Sequence, residues 1–140
     1  MSKRKLLVVV LLILAVLAAV FLLRSCSNRE ADLSTSAGRQ SYLRSLGWDI
    51  DTDSEEYKRV RLPNNLDGVL ADYNAIQLEQ GCDLSKHLGE ACDQYSYAVL
   101  NYPDPEQTVR VTLYIQGGKL IAGDVHSTAL DGFMQGLAKP

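Results

Sequence analysis

Residues 6–23 read LLVVVLLILAVLAAVFLL, eighteen apolar residues without a charge, amide or hydroxyl. As a helix rising about 1.5 Å per residue, such a run covers roughly 27 Å, close to the hydrocarbon thickness of a bilayer. A core helix of a globular domain would show a polar face, and this run has none. The sequence therefore predicts a transmembrane helix over 6–23, preceded by a basic tail at 1–5 and followed by a linker at 24–36. Lys3, Arg4 and Lys5 precede the run and Arg24 and Arg29 follow it. That bias places the N-terminus in the cytoplasm and the remainder outside, as a single-pass signal anchor of the cytoplasmic membrane. A cleaved signal peptide should carry a shorter apolar region, and Ala15, Ala18 and Ala19 lie inside the run instead of after it. Leu23-Arg24-Ser25-Cys26 resembles a lipoprotein cleavage site, but Arg24 stands where a small or apolar residue belongs. Retention, cleavage and lipidation at Cys26 all stay open.

Charge divides along the chain. Ten of the 14 Lys+Arg and all 17 Asp+Glu fall at residues 25–140, so this stretch carries a net charge of −7. An acidic domain with scattered cations offers no footprint for a phosphate backbone, which excludes nucleic acid as a partner class. The membrane, through 6–23, and a protein of the cell envelope are the partners expected. No CxxC or Cys/His cluster is present, so neither a metal nor a cofactor is expected. Cys82 and Cys92 could bridge outside the cytoplasm, or each could be a small buried hydrophobe.

Residues 37–140 predict a small α+β domain. In AGRQSYLRSLGW (37–48), Tyr42, Leu43 and Leu46 share a helical face and Gly47 ends the helix. Trp48-Asp49-Ile50 alternates as a short strand, an acidic turn follows, and Tyr57–Leu62 alternates again before Pro63. Asn64-Asn65 offers an N-cap for a helix over about 66–80, with Leu66, Val69, Leu70, Tyr73 and Ile76 as its core stripe. Gly81 stops it, and 83–88 gives one further turn. Three strands then follow, YSYAVLNY, TVRVTLYI and KLIAGDVH, the last two joined by a Gly117-Gly118 hairpin. Residues 128–137 predict a closing helix, in which Thr128 and Asp131 have capping-box spacing. The fold class is thus TM-α-β-α-β-β-β-α, an antiparallel sheet covered by helices on one face.

Four stretches carry a resemblance: YLRSLGWDID at 42–51, DYNAIQLEQGCDLS at 72–85, YAVLNYP at 97–103 and GDVHSTALDGFMQGL at 123–137. Through them the chain resembles the bacterial family grouped as domain of unknown function 4830, small proteins with a basic N-terminus and one apolar span. The resemblance implies an uncharacterised domain and brings no activity with it. Where the family pattern has an aromatic residue this chain has Cys82, which favours burial of that thiol over a disulfide.

Chemistry candidates are few. Asp49, Asp51 and Asp53 alternate like calcium ligands, but Ser54 and Val60 occupy the positions an EF-hand loop gives to Gly and Glu. A solvated acidic turn is the better reading. Asp124, His126 and Ser127 hold the residue types of a hydrolase triad. On a strand, however, Asp124 and His126 point one way and Ser127 the other. No G-x-S-x-G elbow surrounds Ser127. The surrounding Gly123, Asp124, His126, Ser127, Thr128, Asp131, Gly132 and Phe133 form a dense polar turn between strand and helix, a place where an anion could meet backbone N–H groups. His87 sits in a polar loop. Tyr95 and Tyr97 could line a binding face or pack across strands, and Tyr102 shares their register only in part. The expected function is a non-enzymatic binding or interaction module at the cell envelope, with an envelope hydrolase using Asp124, His126 and Ser127 as the rival.

Overall fold

The structure is a computed structural model that describes residues 2–27 and 31–140, with side chains at 2–18 and 31–140. The chain divides into two compact units, Met1–Glu30 and Ala31–Pro140. The first contains helix α1, Lys3–Ser27. Among the described residues no helix is long and apolar enough to cross a membrane. That finding corrects the transmembrane segment expected at 6–23, and with it the single-pass topology and the cytoplasmic-membrane location that rested on it. Cys26, the lipidation candidate, lies outside the residues whose side chains are described.

The second unit is built on a five-stranded antiparallel meander in the order β1-β2-β3-β4-β5. Its strands are β1 (Ile50–Arg61), β2 (Ala91–Val99), β3 (Val109–Gln116), β4 (Lys119–Ser127) and β5 (Met134–Gln135). The two short strands expected around an acidic turn are one strand, β1, broken in register between Asp51 and Glu56. Gly117 and Gly118, at φ 57° and 76°, make the turn between β3 and β4. Both φ values are positive, as a two-residue turn matching the strand twist requires.

Helices cover both faces of the sheet, not one. Helix α2 (Ser36–Ser45) begins at Thr35, whose hydroxyl accepts the Gly38 N–H at 3.0 Å. It contributes Leu43 to a core with Leu33, Trp48, Tyr97, Val109, Val111, Leu113, Ile115, Val125 and Leu137. Helix α3 (Gly68–Glu79) lies over the other face, beside a second core of Leu62, Leu84, Cys92, Ile121 and Ala122. Alternation along β3 assigns the faces: Val109, Val111, Leu113 and Ile115 go to the α2 side, Thr112 and Tyr114 to the α3 side. A 3₁₀ turn at Leu84–His87 connects α3 to β2.

The closing helix expected at 128–137 is absent. Residues 128–133 form a turn and the chain returns to the sheet as β5, pairing Val125 with Gln135 and His126 with Met134. The sheet edge outcompetes the helix for the backbone. The Ser127 N–H donates to the Phe133 carbonyl at 3.0 Å and the Thr128 N–H to the Thr108 carbonyl at 2.9 Å.

Candidate functional site

Helix α3 stands on the sheet by polar groups. Its buried residues are Asn74 and Gln77, whereas Val69, expected in its core stripe, is 85% exposed. Gln77 is fully buried and reads the backbone of Gly123 in both directions. Its amide donates to the Gly123 carbonyl at 3.0 Å and its oxygen accepts the Gly123 N–H at 2.8 Å. Gln80 donates to the same carbonyl at 2.7 Å and accepts the Leu137 N–H at 2.8 Å. Asn74 accepts the Leu84 N–H at 2.7 Å and so fixes the 3₁₀ turn. A side-chain amide suits this task because it carries donor and acceptor together.

One turn towards the N-terminus of α3, Tyr73 donates its hydroxyl to Asp124 Oδ1 at 2.6 Å. Asp124 Oδ2 lies 2.7 Å from His126 Nδ1. The carboxylate is 2% exposed and acceptor-only, so the bond needs the proton on Nδ1. Tyr73, Asp124 and His126 thus form one line of hydrogen bonds on the α3 face. Burial, then the Asp124 charge and its hydrogen bond, hold the Tyr73 phenol far above the usual tyrosine range. Burial with the same charge pushes Tyr114 up to about 12. Tyr73 acts as a neutral donor and Tyr114 as a packing surface, neither as an acid near neutrality.

This line borders a groove of about 770 Å³ between α3 and the open part of the sheet. Pro63, Val69, Leu70, Ile76 and Met134 give its apolar wall; Gln94, Thr112, Asp124 and His126 give its polar floor. The charged residues of its lining, Asp67, Asp72 and Asp124, are all acidic, and no lysine or arginine joins them.

Of the expected triad, Asp124 and His126 meet. Ser127 does not join them: it pairs with Val109 on the other face, donates to Gln107 Oε1 at 3.1 Å and accepts the Ala129 N–H at 3.2 Å. The rest of the expected turn is held by local contacts. Gly123 is held by Gln77 and Gln80, and a Cβ there would come within 2.7 Å of the Leu137 side chain. A Cβ on Gly132 would meet Ser127 at 2.5 Å. Thr128 donates to the Thr108 carbonyl at 3.3 Å. Phe133 stacks on Tyr102 at 4.9 Å, and Tyr102 lies in parallel to Trp48 at 6.3 Å. Asp131 is exposed, with no helix to cap. The anion site expected at a helix N-terminus is lost with that helix.

The remaining candidates also resolve into packing. Asp51 accepts the Asp53 N–H at 3.0 Å in an extended strand, and no metal-holding cluster of acids, His or Cys occurs among the described residues. Cys82 is half-buried and Cys92 buried, and both are free thiols. Burial pushes both up, away from the thiolate form. His87 Nδ1 sits between Glu90 and Gln116 at 3.2 and 3.1 Å. Tyr95 lies under the Arg39 guanidinium, 3.5 Å from it, and Tyr97 is completely buried.

Sequence reasoning missed Tyr73 as a polar partner, along with Asn74, Gln77 and Gln80. The signal available was the spacing of 73, 77 and 80, which puts two amides and a phenol on one helical face. Comparison with protein-family models, with curated proteins and with solved structures finds no match to this chain.

Proposed function

We propose that residues 31–140 form a non-enzymatic binding module whose ligand lies in the groove between α3 and the sheet. The observation carrying this reading is the composition of the groove: an apolar wall facing a floor of hydrogen-bonding groups, with acidic residues as its charged lining. A volume of about 770 Å³ is in the range of small-molecule and side-chain pockets. The two exposed carboxylates, Asp67 and Asp72, with no lysine or arginine in the lining, repel anions and favour a ligand that brings a positive charge beside an apolar group. The ligand class is therefore an amphipathic cation, such as a basic segment of a partner protein.

Catalysis fits the site less well. Asp124 can orient His126, but the lining holds neither serine nor cysteine, and Tyr73 and Tyr114 are held protonated. Thr112, the one threonine of the lining, is 3% exposed and its hydroxyl donates to Ser96 at 3.4 Å, turned to that partner and not free to attack a substrate.

Fluorescence polarisation tests the proposal with two labelled peptides, one alternating leucine with lysine and one alternating leucine with glutamate. The full chain should bind the basic peptide, with about tenfold weaker binding after Asp67→Asn and Asp72→Asn together. The acidic peptide should not bind. Equal affinity for both peptides, or for the basic one before and after substitution, would defeat the proposal.

A further inference from the structure

The two ring nitrogens of His126 have different surroundings. Nδ1 lies 2.7 Å from Asp124 Oδ2, a buried carboxylate that can only accept, so the ring proton sits on Nδ1. Tyr73 closes the arrangement from the other oxygen: its hydroxyl donates to Oδ1 at 2.6 Å and leaves Oδ2 to the imidazole. With Nδ1 protonated, the neutral ring keeps a lone pair at Nε2. Among the described residues Nε2 makes no hydrogen bond, whereas every fully buried side-chain nitrogen or oxygen has a partner. Nε2 is therefore open to solvent, on a ring that lines the groove.

The neighbours of His126 leave that lone pair available. Met134, its partner on β5, lines the groove beside it and is 49% exposed. Arg110, its partner on β3, does not line the groove. It directs its guanidinium to Ser96 Oγ at 3.0 Å, the Ser54 carbonyl at 3.1 Å and Glu56 at 3.4 Å.

We infer that His126 Nε2 selects the ligand by accepting a hydrogen bond from a cationic N–H, so that the groove takes a primary ammonium or guanidinium over a quaternary ammonium of equal charge. The inference rests on the groove being a cation site, as proposed above, and adds which cation it takes. Asp67 and Asp72 attract any positive charge, whatever its substituents. Nε2 does not: an N–H donor gives it a charge-assisted bond, whereas methyl groups displace its water and return nothing. Asp124 and Tyr73 act through His126 as positioning residues, holding the proton on Nδ1 and the lone pair towards the ligand.

The test uses the full chain and two labelled peptides in fluorescence polarisation, one alternating leucine with lysine and one alternating leucine with trimethyllysine. Both carry the same side-chain charge, and only the first has N–H donors on it. The parent should bind the lysine peptide at least about tenfold more tightly, the scale of one hydrogen bond to a charged group. His126→Phe should make the two affinities equal. In Asp124→Asn the amide can donate to Nδ1 and send the ring proton to Nε2, so the preference should vanish there too. Nitrogen–proton correlation spectra of the imidazole at mildly alkaline pH should show that proton on Nδ1 in the parent and on Nε2 in Asp124→Asn, a change that a merely structural role for Asp124 would not produce. Equal binding of both peptides by the parent would overturn the inference while leaving the groove a cation site; binding of neither would overturn both. A parent proton on Nε2, or a preference that survives His126→Phe, would also overturn it.

Discussion

Arg39 is 3% exposed and keeps its charge. Burial works against that charge, but hydrogen bonds with Tyr97 and Glu55 outweigh it and hold the guanidinium above its ordinary value. Its Nε donates to Tyr97 at 2.8 Å, Nη1 to the Leu33 and Ser34 carbonyls, and Nη2 to Glu55 at 3.2 Å. Burial likewise raises Glu55, yet bonds from Tyr97 and Arg39 leave it below the usual carboxylate value. Arg39→Met should cost about 3 kcal/mol at neutral pH in urea unfolding, because a half-buried carboxylate and two carbonyls lose their donor. A group whose folded value is lowered stabilises above its unfolded value, here 4.5, and loses that contribution as pH falls through the folded one. Stability below pH 4.5 should therefore fall less steeply in Arg39→Met than in the parent. Unchanged unfolding at neutral pH would contradict this account. Nothing near residue 39 in the sequence announces its burial. Tyr97, its deepest partner, is 58 positions away, and helical spacing alone turns a charged residue outward.

Helix α3 shows the same limit over a longer stretch. Its existence and its stop at Gly81, φ 82°, are readable from local signals. Its buried face is not. A stripe of Leu66, Val69, Leu70, Tyr73 and Ile76 supposes that a sheet face offers apolar side chains, whereas β4 offers the backbone of Gly123. Gln77 and Gln80 answer that need, and Asn74 meets the Leu84 N–H beside them, so amides and not aliphatic side chains are the buried residues of this helix. Replacing Gln77 by leucine, which raises hydrophobicity at a fully buried position, should nevertheless destabilise by about 2–3 kcal/mol. It strands the Gly123 N–H and weakens the satisfaction of its carbonyl. Amide exchange at Gly123 should accelerate in the same variant, and a neutral or stabilising result would overturn the two-way bond. The end of the chain failed for a related reason. Thr128 and Asp131 satisfy a helix-start pattern, but Gly132 and Gly136 weaken a helix and the edge of β4 supplies better partners. Such competition is settled by a strand absent from the local window.

Taken together, the sheet is a meander in which each strand pairs with its neighbour in sequence, and local alternation made most of it legible from β2 onward. Less visible was which surfaces the connecting segments cover, since α2 and α3 on opposite faces follow from contacts across the chain. One of the covering contacts bears on how the fold comes into being. Trp48 is 2% exposed, and its indole N–H donates to the Leu137 carbonyl at 2.6 Å, 89 residues further on. During synthesis, β1 to β4 can assemble while the indole still lacks that carbonyl. Full burial of Trp48 should thus await the residues that form β5 and the segment after it. As the chain holds a single tryptophan, its fluorescence reports this directly. A chain ending after Phe133 should emit at longer wavelength and be quenched more readily by acrylamide, while its far-ultraviolet circular dichroism stays close to that of the parent. An indole equally shielded in both would show that the core is sealed before the last residues arrive; the expected red shift would make Trp48 a clock for completion of the domain.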